Sequence, residues 1–185
     1  RASVEIRTAA DASSAVVLDA KGARPMFHLS LATNHLSLRD LMLRNGSAVA
    51  APAHGAAVLL SAGSLHADSC AFEDFVAAGD GGALALLGGA SAQLVSCRFA
   101  SNRARRGGAV AAQCDGDTSA SSPSLVVRFS TLASNAADER GGAVWQSCGQ
   151  LDLSGSSVAH NSAGSSSSAQ SSAAEVGGAV DAEGA

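Results

Sequence analysis

Aromatic residues are nearly missing from this chain: they make up 3% of it, and tyrosine does not occur. A compact globule of 185 residues leans on large side chains, so a thick single core is not expected. Charge is sparse as well. The charged fraction is 15% and the net charge is -4, which argues against a nucleic-acid surface. No apolar run approaches the roughly 18 residues of a membrane span. The four cysteines include no C-x-x-C pair, which argues against a zinc cage. Apolar residues at i, i+3, i+4, i+7 are lacking too, which excludes helical repeats built from amphipathic pairs. Disorder is excluded outside the serine tract, because 46% of the residues are hydrophobic.

What the chain does have is a repeat. Gly-Gly-Ala followed by Val or Leu starts at Gly81, Gly107, Gly141 and Gly177, and a degenerate copy starts at Gly55. The successive intervals are 26, 26, 34 and 36 residues. Each copy follows a short phrase of the form Phe-x-x-Asn. Phe99 and Asn102 lead to Gly107, Leu132 and Asn135 to Gly141, and Val158 and Asn161 to Gly177. Phe72 and Phe75 lead to Gly81, and an earlier cousin from Leu41 through Asn45 leads to Gly55. The surplus in the two long copies lies in residues 115–123 and 162–174, both of loop composition.

The segments between these marks are short and read as strands: Ala15 to Leu18, Phe27 to Leu31, Leu36 to Leu38, Ser124 to Val127, Leu151 to Leu153. Two or three such strands per period, stacked on their copies, predict an all-β parallel β-helix of six to seven coils. The rise per coil is the inter-strand spacing of about 4.8 Å. The whole of 1–185 reads as one segment cut at both ends. It opens on Arg1 with no secretory leader pattern, and Gly177 begins a coil that stops at Ala185.

The repeat also sets a register. The glycines serve turns of positive φ or close packing against the next coil. Asn45, Asn102, Asn135 and Asn161 are expected to stack as an amide ladder in one turn, interrupted at Phe75. Cys70 and Cys97 share one repeat position, and Cys114 and Cys148 share another, each seven residues past its glycine doublet. Equivalent Cα atoms about 4.8 Å apart fall within disulfide range, so bridges Cys70–Cys97 and Cys114–Cys148 are expected. Stacked buried thiols are the alternative. Bridges would imply an oxidising compartment.

The recurring Gly-Gly-Ala-[Val/Leu] and Phe-x-x-Asn phrases resemble the repeat of polymorphic outer-membrane proteins. The opening stretch, Val16 to Ala20, Phe27 to Leu29 and Leu36 to Gly46, is similar to the first coils of pectin-lyase-like right-handed β-helices. The resemblance implies right-handed coiling, an extracellular or cell-surface location and a role in adhesion. It carries over no catalytic residue.

Chemistry is harder to find. Clustered acids that could hold calcium are Asp68, Glu73, Asp74 and Asp80 on one stretch and Asp115, Asp117, Asp138 and Glu139 on another, but solvated turns account for both. No acidic column recurs at one repeat position, as a pair of glycosidase carboxylates would need. The histidines are scattered. The one charged patch is basic: Arg98, Arg103, Arg105, Arg106 and Arg140, with Arg106 and Arg140 both preceding a glycine doublet. It could bind uronate or sulfate groups through guanidinium forks, or be neutralised by Asp138 and Glu139 across the coils. The expected function is a non-catalytic surface module that binds an acidic polysaccharide or a surface protein, with no cofactor and no metal. A polysaccharide lyase, hydrolase or epimerase is the alternative.

Overall fold

The computed structural model describes residues 2–9, 16–22, 25–50, 53–114, 122–164 and 180–182, and its regular structure is entirely β-strand. Among these residues no helix is long and apolar enough to cross a membrane.

The strands form four parallel sheets, each a face of one solenoid. The first face stacks Ser3–Arg7, His35–Arg39, Ser64–Asp68, Ser91–Val95, Ser124–Arg128 and Gln150–Asp152. The second stacks Val16–Asp19, Leu41–Arg44, Ala71–Glu73, Arg98–Ala100, Thr131–Ala133 and Ser157–Ala159. The third face is Ser47–Ala48, Val76–Ala77, Arg103–Arg106, Ala136–Arg140 and Ser162–Ala163. The fourth is Phe27–Leu29, Val58–Leu60, Leu84–Leu87, Val110–Gln113, Val144–Gln146 and Val180–Ala182. This is a parallel β-solenoid of the right-handed β-helix kind with about five turns.

Two expectations need correction. The turns are fewer than six to seven: among the described residues the third face has five strands and each of the others six. Each full turn also holds four strands instead of two or three. Single residues in the left-handed region make the extra corners, so strands follow one another almost without a loop.

Two of these corners use ordinary residues. Asp40, Ser69, Ser96 and Phe129 turn the chain from the first face to the second, with φ of 52–54°. Asn45, Asp74, Ser101, Ser134 and His160 turn it toward the third, with φ of 55–59°. Short polar side chains tolerate this region best, which is why Asp, Asn and Ser recur there.

The corner between the third and fourth faces belongs to the glycine doublet, and its two members have different reasons to be glycine. Gly81, Gly107 and Gly141 have φ of 61–70°, and a Cβ on each would lie 2.1–2.3 Å from the carbonyl oxygen three residues on. Their successors approach the next rung instead. A Cβ on Gly108 would stand 2.1 Å from the Gly142 oxygen and 2.7 Å from the Ala136 backbone. Backbone cannot yield there, so no side chain fits.

Inward residues stack in columns. Leu36, Leu65, Ala92 and Leu125 line the first face, and Leu43, Phe72, Phe99 and Leu132 the second, all essentially unexposed. The Phe72 and Phe99 rings stack in parallel at 4.7 Å. The third face is lined by Ala48, Ala77, Ala104 and Ala137. Larger side chains on the other faces meet these small ones on the third, which keeps the core thin and accounts for the shortage of aromatics. Each buried Leu, Val or Phe contributes about 1.5–3 kcal/mol.

Ser162 and Ala163 pair with Ala136 and Ala137, so the second insert begins after them. Val180 pairs with Val144, in the register the doublets demand. Residues 115–121 and 165–179, with Gly177 among them, lie outside the described residues.

Candidate functional site

The asparagine column is an interior device. Asn102 Nδ2 donates to Asn135 Oδ1 at 2.9 Å and to the Phe72 carbonyl at 3.0 Å. Asn135 Nδ2 repeats this with Asn161 Oδ1 and the Phe99 carbonyl. Each Oδ1 also accepts the backbone N–H of the column residue above: Phe75 to Asn102, Asn102 to Asn135, Asn135 to Asn161. Asn102 and Asn135 are only 1% exposed, so their amides satisfy buried backbone and are closed to a ligand.

Asn45 does not belong to this column. Leu43 pairs with Phe72 and Ser47 with Val76, which sets Gly46 level with Phe75 and Asn45 level with Asp74. Asn45 occupies the left-handed corner and donates to Asp19 Oδ2 at 3.1 Å. Lys21 N–H, Asn45 and Arg44 together hold the Asp19 carboxyl below its usual range, the backbone bond most of all.

The cysteine pairs part company. Cys114 and Cys148 are disulfide-bonded with Cα atoms 6.1 Å apart. Cys70 and Cys97, expected to be bridged, are free and buried. Both side chains take the same local partner: Cys70 Sγ donates to the Asp68 carbonyl and Cys97 Sγ to the Val95 carbonyl, each at 3.3 Å. Repeating one orientation in consecutive rungs sets the sulfurs about a strand spacing apart, well beyond the ~2.05 Å of a bond. The second alternative from the sequence, stacked buried thiols, is the one found. Burial raises both thiols, that of Cys97 to about 12. Their column continues as Ser130 and Ser156, whose hydroxyls accept the N–H of the residue above, Cys97 to Ser130 and Ser130 to Ser156. Nothing in the cysteine spacing pointed to that serine ladder.

The basic residues lie on two faces, Arg98 on the second and Arg103, Arg105, Arg106 and Arg140 on the third. Arg106 and Arg140 are register partners, as the doublet alignment requires. Their neutralisation follows the expected one in part, through Asp138, and adds acids of the preceding rung. Asp138 takes Arg103 at 2.6 Å, and Glu73 takes Arg98 at 2.9 Å. The principal counter-ion is Asp80, 1% exposed, which receives Arg106 Nε and Nη2 at 2.8 and 2.7 Å and Arg105 Nη2 at 3.3 Å. These bonds hold the Arg106 guanidinium protonated more firmly than usual. Its central carbon stands 3.8 Å from the Trp145 ring centroid, a cation–π contact. On the other side of Asp80, its own N–H donates to His54 Nδ1 at 2.9 Å.

His54, Asp80, Arg106 and Arg140 are thus one column, each immediately before a glycine doublet or its degenerate copy. The doublet alignment contained this column, and extending it upward by one copy would have found Asp80 and by two His54.

Two further acids are engaged along the axis: Asp152 with Arg128 at 2.7 Å and Glu5 with Arg39 at 3.9 Å. Hydrogen bonds from Ser154 above all, and from Arg128, lower the Asp152 carboxyl to about 2. Histidines pair with serines of the next rung, His28 with Ser61 and His35 with Ser64. Among the described residues no three His, Cys, Asp or Glu side chains converge as a metal would need. The Asp115 and Asp117 pair lies outside them. No family model, no curated protein and no solved structure matches this chain.

Proposed function

We propose that this chain is a non-catalytic, secreted or cell-surface β-helix module whose stacked faces present a binding surface. The observation that supports this best is the fate of the acidic groups. Asp80, Glu73, Asp138 and Asp152 are each committed to an arginine of a neighbouring rung. Acid–base work on a sugar needs a free carboxyl pair about 5–9.5 Å apart, and these four carboxylates, each held by an arginine, are not free to form one. What the faces offer instead is rigid spacing at rung intervals, suited to recognition over an extended surface. The Cys114–Cys148 bridge fits an oxidising compartment. The likeness of the repeat to polymorphic outer-membrane proteins and pectin-lyase-like helices belongs to the same reading, with adhesion as the role it implies.

The neutralised arginines weigh on the choice of partner. Surface pairs contribute only about 0–1 kcal/mol each, so a polyanion could compete for the exposed Arg98 and Arg103 but would have to strip Arg106 from a buried carboxylate. An acidic polysaccharide or a surface protein remains the partner proposed for this module. The test is a glycan array and a surface-protein binding screen run beside turnover assays on acidic polysaccharides. Retention without product release is expected. Release of unsaturated or reducing ends by the purified chain would overturn the reading in favour of a polysaccharide lyase or hydrolase, and a change of uronate configuration would favour an epimerase.

A further inference from the structure

Phe129 is the one aromatic side chain that the described fold leaves in solvent. Phe72, Phe75, Phe99 and Trp145 are buried and Phe27 is half-buried, whereas Phe129 is 70% exposed. Its backbone makes the placement costlier still. The residue sits in the left-handed corner between the first and second faces at φ 52°, where its counterparts in other rungs are Asp40, Ser69, Ser96 and Gly155. A bulky side chain at positive φ is a genuine outlier, and such strain collects at ligand clamps.

The ring lies against Gly155 of the next rung, where an added Cβ would lie 2.7 and 2.9 Å from ring carbons Cδ1 and Cε1. The glycine there clears a seat for one edge of the ring and fixes its position. Backbone bonding fixes it further, with Phe129 N–H donating to the Ser154 carbonyl at 3.2 Å. The result is an exposed aromatic ring on the corner, seated against Gly155.

Its surroundings are polar and neutralised. Arg128, next in sequence, binds Asp152 Oδ2 through Nε and Nη2 at 2.9 and 2.7 Å. Asp152 stays ionised at neutral pH, and its other oxygen accepts the Ser154 N–H and hydroxyl. On the second face Thr131 is exposed two residues on. Arg128 spends two of its five N–H donors on Asp152, which leaves three for sugar hydroxyls, while the acceptor sites of Asp152 are taken by Arg128 and Ser154. An aromatic plate beside hydroxyl-bonding groups of no net charge fits the apolar C–H face and equatorial hydroxyls of a pyranose ring.

We propose that Phe129, flanked in sequence by Arg128 and Thr131 with Asp152 anchoring Arg128, forms a subsite that stacks a neutral pyranose residue of a glycan. This rests on the binding-module reading and names where and what that module binds. It also moves the site away from the arginine patch and from acidic sugars.

The test uses the full chain with its disulfide intact and measures binding of cello-, manno- and galacto-hexaose, with hexagalacturonate as the acidic comparison. The wild type is expected to bind at least one neutral hexasaccharide. Phe129→Asn should weaken that binding about tenfold, the scale of a lost aromatic contact. Because Asn suits a left-handed corner, the variant should melt no lower than the wild type. Phe129→Trp should keep the affinity within about twofold. Retained affinity in Phe129→Asn, lost affinity in Phe129→Trp, or wild-type binding to hexagalacturonate alone would overturn the subsite and leave the module standing. Binding to none of the four sugars would also overturn it, and capture of a surface protein would then keep the module reading alive. Failure to bind any glycan or protein would sink both.

Discussion

Gly46 is kept bare by Phe75. In the asparagine column Phe75 stands where an amide belongs, and its ring fills the space above Gly46, with Cδ1 and Cε1 each 2.5 Å from the position a Cβ would take. The ladder therefore ends at Phe75, whose N–H caps Asn102 Oδ1. One rung exchanges an amide for a ring and the rung above gives up its side chain to admit it.

Gly46→Ala should accordingly destabilise the chain by about 1–3 kcal/mol, the usual cost of forcing carbon into a filled core. Pairing it with Phe75→Asn separates the causes. That second change removes the ring but leaves the Ala56 carbonyl 2.8 Å from the same position. Denaturant titration of the four proteins should show a coupling that recovers part of the Gly46→Ala penalty and not all of it. Strict additivity would mean that the ring is not the obstacle.

The middle of the ladder should matter more than its end. Asn135 accepts from Asn102 N–H and Nδ2 and donates to the Phe99 carbonyl, all inside the core, and donates also to the half-buried Asn161. Asn135→Ala leaves the Asn102 N–H without its acceptor, at about 1–3 kcal/mol for a buried unsatisfied group, with the lost bonds in addition. Asn161 is half-buried, and water can replace it. The midpoint of urea unfolding should fall further for Asn135→Ala than for Asn161→Ala. Equal losses would place the ladder outside the cooperative core.

How much of this was legible in the sequence follows from what the repeat encodes. The glycine doublets carried the register, and Val180 opposite Val144, Arg106 opposite Arg140 and the Cys114–Cys148 bridge all follow from it. Asn45 was misplaced by one residue because Asn also favours left-handed corners, so its identity fits two adjacent positions. The Cys70–Cys97 error has another origin. Register fixes Cα spacing, but a bond needs side chains that turn toward each other, and two thiols in identical settings do not. The Phe129 corner was invisible because only a backbone angle distinguishes it from any exposed phenylalanine.

The two kinds of cysteine should separate chemically. With both free thiols buried and that of Cys97 raised to about 12, thiolate is scarce at pH 8. A thiol reagent should find no fast-reacting group in the native chain and two in denaturant. Reducing Cys114–Cys148, which closes a loop of 34 residues, should cost about 3–4 kcal/mol on the chain-entropy account. A rapidly labelled native thiol would place Cys70 or Cys97 outside the core.

Acid should act on the lower end of the solenoid through Asp152. The Asp152 carboxyl lies near 2 in the fold against an ordinary 3.8, lowered first by Ser154 and then by Arg128. A depressed folded value means the carboxylate stabilises the native state above the unfolded value and loses that contribution as pH falls. The window is therefore about pH 4 down to about pH 2. Asp152→Asn cannot ionise, so its stability should decline less steeply than that of the wild type through this interval, while the two curves run parallel above pH 5. Thermal melting across pH 2 to 7 reads this directly. A variant that follows the wild-type acid limb would show that Asp152 bonds equally well when protonated, and that the Ser154 and Arg128 contacts are not what lowers it.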